Sequence, residues 1–344
     1  MEAAIAPTAE ALRPDRLSRS LDPFKRADTG RSLWELLVTA VPLALLWGAG
    51  WAAWIQGLWP VALLLTVPAA FFLVRLFLIQ HDCGHGAFFP SRAANDWTGR
   101  VLSVLTLTPY ACWKTAHDLH HATSGDLDRR NTGAGDIDTL TLEEYRALAP
   151  AKRFAYRMYR HPLVLFGFAP TFLYFLQQRL PVGLMKQGWR PWASALGNSV
   201  AVVALYAALI AWLGPWPVLA VSALSTALAA TIGVWLFYVQ HQFEETVWTR
   251  SPEWKKRGVA FHGSSFYDLP GPLPWLTAYI GVHNVHHLSS RIPFYRLPEV
   301  LKAHPEVRKH GRIGLRESFR YARLTLWDEA SGRLISFREA ARTA

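Results

Sequence analysis

The sequence predicts an all-α integral membrane protein, with four transmembrane helices in two hairpins and a cytoplasmic helical cap. Three observations lead to this fold class. The chain of 344 residues is 51% hydrophobic and only 18% charged, whereas soluble domains carry about 25% charged residues. Four apolar stretches reach the length of a membrane span, which is about 20 residues. The two tightest connections between these stretches carry no Lys or Arg.

Composition also limits the functional class. The chain has 36 Lys and Arg against 25 Asp and Glu, a net charge of +11, which raises nucleic acid as a partner. The apolar content instead favours a membrane protein whose basic residues face one side, so no nucleic-acid partner is expected. The two cysteines, Cys83 and Cys112, are too few for a disulfide framework or a cysteine zinc site. A disordered protein is excluded, and a water-soluble enzyme is disfavoured.

The N-terminal region precedes the first hairpin. Residues 1–32 are polar and rich in Arg, and predict a solvated, basic cytoplasmic arm; residues 33–344 form the membrane domain. The first hairpin consists of spans at about 33–56 and 59–80. The first span is too long for the apolar core of a signal peptide. Arg75, near the end of the second span, is expected to extend to the membrane interface.

The second hairpin consists of spans at about 191–213 and 216–239, joined by Gly214 and Pro215. Two shorter apolar segments, 101–113 and 162–176, have the length of interfacial or re-entrant helices. The remaining residues, 81–190 and 240–344, form the predicted cap.

The distribution of basic residues predicts the orientation. The hairpin tips near Gly57 and Gly214 carry no Lys or Arg, whereas the arm, residues 146–160 and the tail after Arg250 carry many. The positive-inside rule therefore places both termini and the cap in the cytoplasm. The Ala- and Arg-rich composition is typical of a bacterial protein, so the predicted location is a bacterial inner membrane.

Three histidine clusters lie at or beyond the cytoplasmic ends of spans. They read HDCGH, HDLHH and HNVHH, and they contain His81, His85, His117, His120, His121, His283, His286 and His287. Helical residues three and four apart share a face, so each cluster projects its imidazoles together. Imidazole suits iron, zinc, copper and nickel. Eight donors exceed what one metal ordinarily takes, so the clusters predict two metal ions.

Two other interpretations of the clusters stay open on these residues alone. One is a zinc-binding membrane protein. The other is a haem electron carrier with paired histidine ligands, which would place single histidines inside facing spans, where this sequence has none.

The clusters resemble the three histidine boxes of the integral-membrane fatty acid desaturases. The similarity continues in GSSFYDLP at residues 263–270, HLSSRIP at residues 287–293 and TLWDE at residues 325–329. It covers about residues 33–337 and is strongest to the bacterial acyl-lipid branch of Δ12 or omega-6 type.

The resemblance implies a non-haem di-iron centre with O2 as co-substrate. The box histidines would hold the iron, together with one further histidine between the last span and the third box. His241, at the end of the fourth span, is favoured for that role over His262. His161, His304 and His310 are expected at surfaces or interfaces.

The resemblance also implies an activity: an O2-dependent desaturase that introduces a cis double bond into a membrane-lipid-linked acyl chain. The spacing of three residues between the histidines of HDCGH favours a lipid-linked substrate. The His-Pro-Gly-Gly signature of a fused cytochrome domain is absent from the sequence. Electrons are therefore expected from an external donor, either ferredoxin-like or of cytochrome b type.

Two alternatives to the desaturase are retained. A membrane hydroxylase or ketolase could use the same histidine design, and a non-catalytic metal or electron-carrier protein could use the same ligands.

The carboxylates near the boxes have no fixed role. Asp82 and Asp118 could orient imidazoles or could be ordinary carboxylates at helix ends. Asp126, Asp128, Asp136 and Asp138 lie in a Gly-rich loop and are expected to be solvated turn residues.

Overall fold

Four long apolar helices dominate the fold. The computed structural model describes residues 14–130, 136–254 and 256–342. The helices long and apolar enough to cross a membrane are Thr29–Ile55, Trp59–Gly84, Trp189–Leu213 and Pro215–His241. They confirm the predicted all-α membrane fold.

The first hairpin pairs α2 (Thr29–Ile55) with α3 (Trp59–Gly84). The Asp28 side chain begins α2 by accepting a hydrogen bond from the Arg31 backbone N–H, which satisfies a free amide of the first turn. Gly57, at φ +78°, makes the tight turn between the two helices, a conformation that glycine adopts without a steric penalty.

The prediction that Arg75 extends to the membrane interface is wrong. Its side chain is fully buried and pairs with the buried Glu35 of α2. It also donates to the Thr39 hydroxyl, at 3.1 Å, and to the Trp275 carbonyl. A buried charge is tolerated when it is paired and hydrogen-bonded. Here the partners come from the neighbouring span and from a cap segment folded over the helix end.

The second hairpin pairs α9 (Trp189–Leu213) with a helix of three parts: α10 (Pro215–Pro217), a π-helical turn (Val218–Ala223) and α11 (Leu224–His241). Gly214, at φ +81°, connects the two arms. The second arm packs against α3 of the first hairpin. The ends of α3 and α11, which carry His81 and His241, therefore lie side by side.

The cap consists of short helices between and after the hairpins. Those between the hairpins are α4 (Arg92–Leu105), α5 (Tyr110–Thr123), α6 (Leu142–Ala147), α7 (Pro150–Tyr159), a second π-helical segment (Leu163–Phe168) and α8 (Ala169–Phe175). Those after the second hairpin are α12 (Lys256–His262), α13 (Leu273–Leu276), α14 (His283–Leu288), α15 (Leu297–Ala303), α16 (Leu315–Tyr321) and α17 (Phe337–Ala340). Four 3-10 segments complete the described helices: Asp22–Lys25, Gln177–Arg179, Phe294–Arg296 and Pro305–Lys309.

Two small sheets fasten the tail of the cap. Strand β1 (Phe266–Asp268) pairs in parallel with β2 (Arg312–Gly314), with Tyr267 opposite Ile313. Strand β3 (Leu326–Asp328) pairs antiparallel with β4 (Arg333–Ile335). The segments 263–270 and 325–329, singled out in the sequence, each supply one of these strands.

Two further expectations need correction. Residues 101–113 are not one short helix: α4 ends at Leu105 and α5 begins at Tyr110, because Leu107 adopts φ +54° and Pro109 lacks an amide donor. The part of the arm from residue 14 onward is not wholly solvated. It forms α1 (Pro14–Ser20), and Leu17 and Leu21 are buried in the main core. Residues 1–13 lie outside the described residues.

Candidate metal centre

Four helix segments bring nine histidines together. His81 is in the last turn of α3 and His85 caps that helix, while His117, His120 and His121 lie on α5. His283, His286 and His287 make up half of the six-residue α14, and His241 ends α11. The cap thus covers the paired ends of α3 and α11 with two histidine-bearing helices.

The imidazoles form two groups. The first histidine group consists of His81, His85, His117, His121 and His286, with one ring nitrogen of each within 4.8 Å of all the others. The second contains His120, His241 and His287 within the same limit. His283 adjoins it, because its Nε2 atom is 3.0 Å from Nε2 of His241; we count it in the second histidine group.

Helix geometry explains why two of the boxes are divided between the groups. On α5, His117 and His121 are four residues apart and point into the first group, while His120 is rotated into the second. On α14 the assignment is reversed. There His286 points into the first group, and the i,i+4 pair of His283 and His287 points into the second.

The distances fit metal coordination. Two nitrogens that bind one ion at about 2.1 Å and at right angles to each other lie about 3.0 Å apart. Nε2 of His117 is 3.0 Å from that of His81 and 3.1 Å from those of His85 and His121. In the second group, Nε2 of His241 is 3.1 Å from that of His120. Each ring thus turns one nitrogen toward a shared point.

Hydrogen-bond acceptors fix the proton on the opposite nitrogen of three rings. Nδ1–H of His81 donates to Asp82 at 3.1 Å, and that of His120 donates to Asp136 at 2.9 Å. Nδ1–H of His241 donates to the Gly263 carbonyl at 3.3 Å. A carboxylate or carbonyl oxygen only accepts, so Nε2 of each ring keeps its lone pair toward the centre. Such partners orient metal-binding imidazoles.

Burial keeps the rings uncharged. Removal from water, together with neighbouring imidazoles, holds the pKa well below 6.5 for His85, His117, His121, His283, His286 and His287. A neutral imidazole is the form that binds a metal. Among the described residues, neither ring nitrogen of His287 nor Nδ1 of His283 has a hydrogen-bond partner. Buried nitrogens without partners are costly, and an ion would satisfy those that face the centre.

The four loop carboxylates do not behave alike. Asp136 contacts His120, so the expectation that it is a solvated turn residue is wrong. The same expectation is wrong for Asp126, which is fully buried and accepts hydrogen bonds from Arg129 and Ser251. Of the two carboxylates inside the boxes, Asp82 orients His81 and accepts from the Phe294 backbone N–H at 2.7 Å. Asp118 instead pairs with Lys114 at the helix surface.

His262 lies outside both histidine groups. Its Nδ1 atom is 3.0 Å from Nε2 of His310, and the two rings form a separate pair. His241, the favoured ninth residue, is inside the second group.

A mainly apolar cavity reaches both groups. This metal-side cavity has a volume of about 130 Å³ and is lined by residues of α3, α5, α8 and α11, and His81, His117, His120 and His283 are part of its wall. Trp113 stacks on His117 with ring centroids 4.6 Å apart. Tyr174 and Gln178 are among its polar wall residues. Trp113 was not singled out from the sequence, and Asp136 was expected only as a turn residue, because no spacing links either residue to a box.

Comparisons with known proteins agree with this arrangement. The sequence model of a family described as Fatty acid desaturase matches residues 57–319. A fatty acid desaturase of Bacillus subtilis is 38% identical over 94% of this chain and 90% of its own length. An sn-1 oleoyl-lipid 12-desaturase of Anabaena variabilis is 26% identical over 78% of this chain and 74% of its own. An sn-1 acyl-lipid omega-3 desaturase (ferredoxin) of Synechocystis is 25% identical, covering 73% and 67%.

Proposed function

The chain belongs to the fatty acid desaturase family, and on that premise we propose that it introduces a cis double bond into a membrane-lipid-linked acyl chain. The observation that carries this proposal is the all-imidazole centre in the wall of a mainly apolar cavity. Two non-haem iron ions, when bound, supply with O2 the oxidising power for removing hydrogen from an unactivated methylene, which no side chain has.

The two groups divide the proposed ligands. His81, His85, His117, His121 and His286 would hold one iron, and His120, His241, His283 and His287 the other. The exclusively imidazole donor set also suits zinc, copper and nickel, and the family membership favours iron. Asp82, Asp136 and the Gly263 carbonyl hold protons on Nδ1 and so keep Nε2 of their partners free.

The metal-side cavity would position the acyl chain and exclude water from it. Its apolar walls, including Phe77, Leu78 and Phe237, exclude water from the reacting carbons and align the chain with the histidines. Which methylene pair faces the centre then depends on how far the chain passes along the cavity. A Δ12 position is the finer proposal, and it is supported by a distant relative named as an oleoyl-lipid 12-desaturase.

An external protein is the proposed electron source. A ferredoxin-like donor is favoured because one relative is named as a ferredoxin-dependent enzyme. A cytochrome b-type donor is the alternative, since a relative from Arabidopsis thaliana is named with cytochrome b5. The positive-inside pattern supports a bacterial inner-membrane location, with both termini and the metal centre on the cytoplasmic side.

The test is the fatty-acid methyl ester profile of a bacterium that expresses the chain. We expect a new unsaturated species with the wild type, no new species with His286→Ala, and the wild-type profile with His161→Ala, whose histidine is exposed and outside both groups. The double-bond position of the product gives the regiochemistry. A hydroxylated product would favour the hydroxylase alternative. Product formation by His286→Ala, at the wild-type level, would contradict the proposed centre.

A further inference from the structure

A second apolar cavity opens on the side of the bundle. This lateral groove has a volume of about 650 Å³ and lies between the π-helical segment at 163–168, α11 and α16. Its walls include Phe166, Ile232 and Leu315. Leu163 and Phe319, also in its lining, are 70% and 62% exposed. An apolar groove with exposed large side chains at its edge is typical of a binding surface.

Among the residues that the structure describes, one charged side chain lines the lateral groove. Arg323 follows α16, and among the described residues its guanidinium has no ion pair or hydrogen bond. Arg316 and Arg320 lie on the same short helix. An arginine fork matches the oxygens of a phosphate, so the groove combines an apolar interior with an anion-binding group.

The lateral groove lies against the metal-side cavity. Leu236 of α11 lines both spaces, and it is the one residue common to their two linings among the described residues. Beside it, Trp235 donates to the Tyr267 hydroxyl at 3.3 Å, and that hydroxyl is 2.9 Å from Oγ of Ser318. These bonds hold α11, β1 and α16 together around the Leu236 side chain.

One wall of the lateral groove has an unusual backbone. Residues 163–168 form a π-helical segment, a rare geometry that occurs often at functional sites. The Thr231 hydroxyl of α11 donates to the Phe166 carbonyl at 2.9 Å. This bond fixes the width of the lateral groove between the segment and α11.

We propose that the lateral groove binds one acyl chain of a bilayer glycerophospholipid, with its phosphate at Arg323, and that the chain reaches the metal-side cavity past Leu236. The destination of the chain rests on the proposed function. The chemistry of the groove indicates this occupant: the apolar interior suits hydrocarbon, the exposed rim is itself apolar, and the Arg323 guanidinium complements a phosphate. The groove size lies within the range of ligand sites, about 300–1,000 Å³.

Photolabelling tests the groove without depending on turnover. The full-length protein is placed in vesicles of phosphatidylcholine and phosphatidylglycerol that contain a trace of phospholipid with a diazirine in one acyl chain. Mass spectrometry then locates the adducts after irradiation. We expect adducts to be several-fold enriched on peptides covering 162–168, 231–236 and 315–323. Adducts spread evenly over all lipid-facing helices would overturn the proposal.

Matched variants assign the occupant. Ala322→Trp fills the lateral groove and should remove its adducts. Ala208→Trp makes the same change on the exposed face of α9 and should leave them unchanged. Arg323→Gln should weaken labelling by the phospholipid probe but not by a diazirine-bearing diacylglycerol. Displacement of the phospholipid probe by excess acyl-CoA would show a different occupant and contradict the proposal. Equal labelling of Ala322→Trp and Ala208→Trp would contradict it as well.

Leu236→Trp tests the passage from the lateral groove to the metal-side cavity separately from binding in the groove. We expect the adducts on peptides 162–168 and 315–323 to persist, the iron content to stay unchanged and product formation to fall strongly, because the larger ring blocks the passage. Unchanged product formation would rule out the route past Leu236. Groove adducts in a wild-type protein that forms no unsaturated product would support the binding site while contradicting the proposed function, so the two failures are distinguishable.

Discussion

Asp136 accepts a hydrogen bond from Nδ1–H of His120 across 2.9 Å. The contact joins a loop after α5 to the one histidine of that helix that points into the second histidine group. Asp118, which lies inside the box itself, points away and pairs with Lys114. The carboxylate that orients His120 is therefore 16 residues along the chain from it, and the carboxylate two residues away is a surface group.

Removing the Asp136 carboxylate is expected to weaken the second histidine group. Loss of a partner that orients a metal-binding imidazole typically costs about 10–100-fold in metal affinity or activity, so Asp136→Ala should lower iron affinity by that order. Asp118→Ala should leave iron affinity unchanged. Iron titration of the metal-free protein, followed by intrinsic fluorescence, measures both. Equal affinities of the two variants would show that the His120 contact has no role in binding.

The buried pair of Glu35 and Arg75 is expected to stabilise the first hairpin. Glu35→Gln leaves the fully buried guanidinium without a counter-charge, which typically costs about 3–5 kcal/mol. Arg31→Gln removes the half-exposed partner of Glu35 and should cost about 1 kcal/mol or less. Unfolding in mixed micelles gives the free energy of unfolding for both. Equal losses of unfolding free energy in the two variants would mean that the buried Arg75 does not need Glu35 as its counter-charge.

Gly233 is expected to set how far an acyl chain can extend beyond the metal-side cavity into the pocket beside α4. The metal-side cavity and a smaller pocket beside α4 share Val74, Phe77, Tyr174 and Gly233 in their walls. A Cβ atom at Gly233 would lie 3.9 Å from the Tyr174 hydroxyl, in ordinary contact. Gly233→Ala should therefore keep the wild-type products, whereas Gly233→Phe should suppress products from long chains more than from short ones. Methyl ester profiles measure this ratio, and an unchanged ratio in Gly233→Phe would exclude the role.

The helices and the histidine clusters could be predicted because both depend on local pattern. Span length and hydropathy locate α2, α3, α9 and the arm Pro215–His241 to within a few residues. The i,i+3 and i,i+4 spacing on α5 and α14 places three imidazoles of each box on a shared face. The division of His120 and His286 between the groups could not be predicted, because it depends on how each helix is rotated against its neighbours.

Contacts between distant segments account for the other differences. Arg75 lies near the end of the predicted span 59–80, and the sequence offers no sign that Glu35 and the Trp275 carbonyl cover it. Asp136 lies in a loop whose composition is typical of solvated turns. In both cases the partner is fixed by tertiary packing, which no single segment encodes.

The iron content of the purified protein tests the two-ion centre most directly. Elemental analysis is made on the wild type, on His286→Ala and His287→Ala, which change one histidine in each group, and on His161→Ala as the control. We expect two iron atoms per chain in the wild type and the control, and fewer in each of the other two variants. One ion per chain, or full iron in both group variants, would contradict the assignment of nine histidines to two iron sites.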